Sequence, residues 1–143
     1  MILLDTNVLI YSADPQSRFH QWSRQVISEA AAKENAAANS VAIAELCVGE
    51  EDRDSVPLWL KAWGIILVDV PASASVVCAK AYSLYKVRRM ADSEKSSPAM
   101  PLPDFFIGAH AEIMGWDIAT ADRSRFSTYF PSVKIITPPE QLP

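Results

Sequence analysis

The chain has 143 residues, half of them hydrophobic, and a formal net charge of -4 at pH 7. These values predict a single domain, residues 1–143, with an apolar core that needs no disulfide or structural metal. The acidic balance excludes the broad basic face of most nucleic-acid-binding proteins, so contact with nucleic acid must be local or metal-mediated. The longest apolar stretches, such as 64–70, are too short to cross a bilayer, and residues 1–7 show no leader pattern. We therefore expect a cytoplasmic protein without membrane contact.

Hydrophobic periodicity and turn residues divide the chain into alternating strands and helices. An apolar run at Ile2–Leu4 predicts a buried strand, and Pro71 and Ser73 separate a later strand from a long helix. The predicted strands span 2–4, 36–40, 65–70, 117–120 and 132–137. The predicted helices are a short one after residue 7 and longer ones at 17–33, 41–51, 56–63, 73–92 and 104–115, with a Pro/Ser-rich loop at 93–103.

This alternation predicts a mostly parallel sheet covered by helices on both faces, with the functional site beyond the carboxyl ends of its strands. Four acids fall at that edge. Asp5 follows the first strand, and Glu45 lies about one turn into the helix after the second. Asp104 starts a later helix, and Asp122 follows the strand at 117–120. Their shared location predicts one acidic cluster.

Clustered carboxylates repel one another by several kcal/mol at an effective dielectric of about 20, so they must hold protons or bind cations. Oxygen ligands without nearby cysteine or paired histidine favour Mg²⁺ or Mn²⁺ over zinc. A carboxylate-held Mg²⁺ suits phosphodiester cleavage, because it activates water and neutralises charge on phosphoryl oxygens. We predict that all four acids are catalytic metal ligands, and that Asp122, which could bind through water, matters least. The polar neighbours predicted to support them are Thr6, Asn7 and Thr120.

Each acid also has an ordinary structural explanation when it is considered alone. Asp5 could form a turn at a strand end, and Glu45 could lie on a solvated helix face. Asp104 could cap a helix, and Asp122 could be a turn residue. The joint placement, above all a buried strand that ends in Asp-Thr-Asn, favours the metal site.

Four strings of this sequence resemble, in order and approximate separation, the four acidic motifs of PIN-domain nucleases. They are LLDTNVLIY at 3–11, VAIAELCVG at 41–49, PDFFIGAHA at 103–111 and TADRSRF at 120–126. The resemblance is greatest to the VapC-type toxins of bacterial toxin–antitoxin pairs. It implies a three-layer α/β/α fold with a central parallel sheet, Mg²⁺ or Mn²⁺ dependence and hydrolysis of RNA. It also implies a homodimer, and a small antitoxin whose C-terminal segment enters the acidic groove.

Several other residues admit both a functional and a structural interpretation. Phosphate contacts are one hypothesis for the arginines, and solvated surface charge is the other. Trp59 and Trp63, with Leu60 between them, pack in a core or anchor a partner. The cysteines and histidines lack ligand spacing, so we predict structural roles for them. The arginines are Arg88, Arg89, Arg123 and Arg125, and the cysteines and histidines are Cys47, Cys78, His20 and His110.

Three functions compete at this point. The first is a metal-dependent endoribonuclease, probed by neutralising Asp5 or Asp104. The second is a catalytically silent PIN-like module that binds RNA or protein, which would have no need of four repelling acids. The third is a phosphatase of the haloacid dehalogenase type, which needs a second acid two residues after its nucleophile. Asn7 occupies that position, which argues against a phosphatase.

Overall fold

The structure, a computed structural model, describes residues 1–93 and 100–139. Most of the predicted Pro/Ser-rich loop, residues 94–99, lies outside these ranges. The elements in chain order are β1 (Ile2–Leu4), α1 (Thr6–Ala13), α2 (His20–Ala32), β2 (Ala36–Asn39), α3 (Ser40–Val48), α4 (Ser55–Ala62), β3 (Ile66–Val68), α5 (Ala74–Ser93), α6 (Pro103–Met114), β4 (Asp117–Ala119), α7 (Arg123–Tyr129) and β5 (Ile135–Ile136). None of the helices in the described ranges combines the length and the apolar character needed to span a membrane.

The strands form one sheet in the order β3-β2-β1-β4-β5, and every neighbouring pair is parallel. The chain moves from β1 to β3 in one direction along the sheet and then returns past β1 to β4 and β5. Because parallel crossovers are right-handed, this reversal puts α1 to α4 on one face and α5 to α7 on the other. The predicted three-layer α/β/α fold with four to five strands is confirmed, and β1 lies at its centre.

Burial explains why the weak β-former alanine makes a central strand. Ala36, Ala37 and Ala38 of β2 are all fully buried. Their small side chains let the covering helices approach a strand that is hydrogen-bonded on both edges. Tertiary packing therefore overrides intrinsic propensity here.

Aromatic side chains fill the space between α5, α6 and α7. The Phe105 ring of α6 lies 5.3 Å from that of Tyr82 and 6.0 Å from that of Phe130, measured between ring centroids. Gly108, one turn after Phe105, faces the Phe130 ring so closely that a Cβ atom there would overlap it. The glycine thus makes room for the aromatic packing that holds α6 and α7 together.

Two sequence predictions need correction. Helix α7 is absent from the predicted elements, and Asp122, predicted only to follow the strand at 117–120, is the N-cap residue of that helix. The spacing of Phe126, Tyr129 and Phe130 was the available signal, since these residues fall three and four apart. Elsewhere the boundaries move: the final strand contracts to Ile135–Ile136, and α3 begins at Ser40.

Candidate functional site

Asp5 and Thr120 meet because they follow two neighbouring parallel strands. Thr120 donates a hydrogen bond from Oγ1 to Asp5 Oδ2 at 2.8 Å. The same hydroxyl oxygen accepts the backbone N–H of Asp122 at 3.0 Å. One side chain therefore links the ends of β1 and β4 to the start of α7. This fixes the orientation of the Asp5 carboxylate.

The Asp5 carboxylate is almost wholly buried, with 2% of the residue exposed. Its second oxygen, Oδ1, has no hydrogen-bond partner among the described residues. The pKa of Asp5 is raised from 3.8 to about 7, chiefly by burial and then by the charge of Asp104, with a smaller contribution from Glu45. Hydrogen bonds from Thr120 and the Thr6 backbone act in the opposite direction and lower it. Asp5 is thus an acid whose negative charge the protein itself compensates poorly.

Glu45 is delivered by α3, which begins directly after β2. Asn39 caps this helix, because its side-chain oxygen accepts the backbone N–H groups of Val41 and Ala42 at 3.1 and 3.0 Å. Thr6 then donates from Oγ1 to Glu45 Oε1 at 2.6 Å. A hydroxyl group therefore holds Glu45, as another holds Asp5.

Asp104 lies in the first turn of α6, after Pro103. Burial raises the pKa of its carboxyl, the guanidinium of Arg125 lowers it, and the charge of Asp122 raises it again. Arg125 Nη1 lies 3.0 Å from Asp104 Oδ2 in an ion pair. Both side chains are about 30% exposed, so water screens this pair more than it screens Asp5.

Asp122 is the most exposed of the four acids. Its Oδ1 accepts hydrogen bonds from Ser124 Oγ at 3.1 Å and from the Arg125 backbone N–H at 3.5 Å. These bonds serve the start of α7. That Asp122 contributes least to the site stays a prediction.

The chemistry of these side chains fits a hard divalent cation. The charges of Asp104 and Glu45 raise the pKa of Asp5, and the charge of Asp122 raises the pKa of Asp104. Asp5 Oδ1 is a buried oxygen that lacks a donor among the described residues. Within residues 1–93 and 100–139, no group of three or more acidic, histidine or cysteine side chains is drawn together as a ready metal site. The acids are nevertheless near enough for the charges of Asp104 and Glu45 to raise the pKa of Asp5, and a cation would relieve that repulsion.

The predicted supporting and basic residues have different surroundings. Asn7 is exposed, and Arg123 donates to Thr137 Oγ1 at 3.0 Å. The Arg88 guanidinium lies 5.8 Å from the centre of the Tyr129 ring, and Arg89 donates to Tyr85 Oη at 2.9 Å. Their predicted role in phosphate contact stays a prediction. The ion pair of Arg125 with Asp104 was not predicted from the sequence.

The structural roles predicted for histidine agree with the fold. His110 is buried and its Nδ1 lies 3.2 Å from the Asn39 side-chain nitrogen, so it braces the residue that caps α3. His20 Nδ1 lies 3.0 Å from the Tyr11 carbonyl oxygen. Both histidines therefore have local structural partners.

Comparisons with known proteins agree with this architecture. The sequence model of the PIN domain matches residues 2–129. Comparison with curated protein sequences gave no significant match. Among solved structures, the chain is similar to FitAcB from Neisseria gonorrhoeae, with 23% identity, a TM-score of 0.61 and coverage of 96% of this chain and 97% of that one.

Two further solved structures show the same fold. VapBC-1 from nontypeable Haemophilus influenzae has 14% identity and a TM-score of 0.63, covering 96% of this chain and 98% of that one. DNA-bound VapBC from Salmonella typhimurium has 15% identity and a TM-score of 0.62, covering 95% and 96%. The PIN-domain match spans nearly all of the sheet and all four acids. The chain therefore belongs to the PIN-domain family.

Proposed function

We propose that this protein is a Mg²⁺- or Mn²⁺-dependent endoribonuclease that hydrolyses RNA phosphodiester bonds. The observation that carries the proposal is Asp5, a buried carboxylate with one unpartnered oxygen and two acidic neighbours. A buried, unpaired carboxylate destabilises the folded protein unless it binds a cation or a proton. Groups of this kind are therefore found mostly at functional sites. Membership of the PIN-domain family supports the nuclease activity, and the resemblance to VapC-type toxins favours RNA as substrate.

Asp5, Glu45 and Asp104 would hold the cation, and Asp122 would assist. When bound, the cation would lower the pKa of a water molecule and offset negative charge on the phosphoryl oxygens. Thr120 and Thr6 orient the first two carboxylates, so their oxygens need little rearrangement on binding. Arg88, Arg89, Arg123 and Arg125 would supply local positive charge for phosphate groups in a chain that is acidic as a whole.

The first test is RNA cleavage by the purified protein, with mapping of the new 5′ ends. We expect cleavage in Mg²⁺ or Mn²⁺ that stops in EDTA, and a loss of at least about 100-fold in Asp104→Asn, because that acid would be a ligand. Asp117→Asn is the matched control. It alters an aspartate at the start of β4, away from the carboxyl ends of the strands, where Lys134 Nζ lies 3.9 Å from Asp117 Oδ2.

Wild-type cleavage by Asp104→Asn would refute the proposed site. A wild-type protein that binds RNA but stays inert in both metals would instead support the silent binding module. These two outcomes are separated by measuring RNA binding in the same samples. The Asp117→Asn protein reports any general effect of losing one negative charge.

We further propose that the chain is the toxin of a type II toxin–antitoxin pair, that it forms a homodimer and that a small antitoxin inhibits it. The resemblance to VapC-type toxins and the shared fold with VapBC and FitAcB chains support this proposal. Trp63 supports partner binding, because its ring is exposed while it packs 4.6 Å from that of Trp59.

Induced expression in a bacterial host tests the toxin proposal. We expect growth arrest with the wild-type chain and normal growth with Asp5→Asn at equal protein levels, because arrest would need the acidic site. If a small open reading frame lies directly upstream of the gene, its co-expression should restore growth. Harmless expression of a soluble, folded wild-type chain would argue against a toxin.

A further inference from the structure

We propose that Arg125 occupies the place of a divalent cation on Asp104 Oδ2 in the metal-free protein, and that the metal gains this oxygen only by displacing the guanidinium. This inference rests on the proposed metal dependence. It makes Arg125 an internal competitor of the metal and a positioning residue for Asp104. The metal affinity of the site is then set partly by an arginine in the same chain.

Arg125 and Asp104 are in direct contact. Arg125 Nη1 lies 3.0 Å from Asp104 Oδ2, which is within both hydrogen-bond and ion-pair distance. A carboxylate oxygen that accepts a guanidinium hydrogen bond has less electron density to offer a cation. A guanidinium and a divalent cation on the same carboxylate would also repel each other. Metal binding at Asp104 Oδ2 must therefore break this pair, and metal binding at Oδ1 would weaken it.

Asp5 and Asp104 differ in how their negative charges are compensated. Asp5 keeps a buried oxygen without a partner among the described residues, whereas Asp104 has a cationic partner. The two principal acids thus differ in the metal-free protein, since the charge of Asp104 is compensated and the charge of Asp5 is not. A cation gains the attraction of Asp5 at once, but it gains Asp104 only by competition.

The surroundings of Arg125 allow it to leave. Its side chain is 30% exposed, and its guanidinium lies 5.7 Å from the centre of the Tyr85 ring. It borders a cavity of about 560 Å³ that Tyr85, Tyr129, Arg88 and Thr128 also line. The aromatic rings and hydroxyl groups there can receive a guanidinium without burying an unpaired charge. Arg88 also lines this cavity, so displacement costs the ion pair and some repulsion between the two guanidinium groups.

The test measures Mn²⁺ binding alone by calorimetry, without RNA. Arg125→Gln should bind Mn²⁺ about fivefold to tenfold more tightly than wild type, because the cation no longer competes with the guanidinium. Arg123→Gln is the matched control. It removes the same charge two residues away from a guanidinium that contacts Thr137, and we expect a change of less than twofold.

A second measurement does not depend on the variants. In wild-type protein, the NMR signal of the Arg125 Nε–Hε group should shift on titration with Mg²⁺, with the same midpoint as metal binding. Equal Mn²⁺ affinity of Arg125→Gln and wild type, an equal gain in Arg123→Gln, or an unmoved Arg125 signal at saturating Mg²⁺ would each overturn the inference. Failure of the wild-type protein to bind either metal would refute the proposed function, and with it this inference.

Discussion

Asp5→Asn should abolish RNA cleavage, by at least about 1000-fold, and at the same time stabilise the metal-free protein at pH 8. Asp5 is buried, and its pKa is raised from 3.8 to about 7. The amide is neutral at every pH and can still accept the Thr120 hydrogen bond. The variant therefore removes a negative charge that would bind the metal. The same charge destabilises the folded protein when no metal is bound.

The sign of the pH dependence follows from the raised pKa. Between pH 4 and pH 7 the folded protein keeps the Asp5 proton that the unfolded chain releases, so the free energy of unfolding falls as pH rises through this window. The advantage of Asp5→Asn should be small near pH 4 and complete above pH 7. Three pKa units correspond to about 4 kcal/mol, and we expect about 2 after relaxation of the site.

Urea unfolding in EDTA at pH 4.5 and pH 8 measures the effect. The Asp117→Asn protein should show less than about 0.5 kcal/mol difference at either pH, as a surface substitution usually does. Saturating Mn²⁺ should stabilise the wild type and leave Asp5→Asn unchanged. An Asp5→Asn protein that is less stable than wild type at pH 8 would contradict this account of the buried charge.

Gly108→Ala should destabilise the protein by about 3 kcal/mol, because overpacking of a rigid core forces side chains and backbone apart. A Cβ atom at this position would overlap the Phe130 ring at Cδ2 and Cε2 and would lie 2.7 Å from Cζ. Phe130 is buried against Phe105 and Phe126, so its ring has little room to move. The strain would fall on the packing of α6 against α7.

Chemical denaturation at one pH measures the loss. Gly49→Ala is the control, since the nearest atom to a Cβ there is the Leu46 carbonyl oxygen at an ordinary 3.6 Å. Combining Gly108→Ala with Phe130→Leu should cost less than the sum of the two single changes, because the smaller side chain removes the overlap. Strict additivity, or a neutral Gly108→Ala, would show that the ring moves away freely.

The parallel sheet and the common location of the acids were predictable, because both follow from local patterns. The apolar run before Asp5 predicts a buried strand that ends at this residue, whatever the position of that strand in the sheet. The carboxyl ends of parallel strands then lie at one edge. Asp104 is predicted at the start of a helix because it directly follows the Pro/Ser-rich loop at 93–103. These arguments need only neighbouring residues and a general rule of topology.

The pairing of side chains could not be predicted in the same way. The bond from Thr6 to Glu45 joins residues 39 positions apart, and its existence depends on how α1 and α3 pack. The ion pair between Arg125 and Asp104 depends on α7, a helix whose only periodic signal in the sequence is the spacing of its aromatic residues. Without α7, Arg125 could not be identified from the sequence as the partner of Asp104.

The hydrogen bond between Thr120 and Asp5 joins residues 115 positions apart, across neighbouring strands at the middle of the sheet. During synthesis, β1 leaves the ribosome long before β4, and at about 5–20 residues per second the interval is on the order of ten seconds. Until β4 emerges and pairs with β1, the strand that carries Thr120 to Asp5 is missing from this edge of the sheet. A nascent chain therefore cannot assemble this site, and the messenger RNA that encodes it is read almost to the end of the domain before the acids come together.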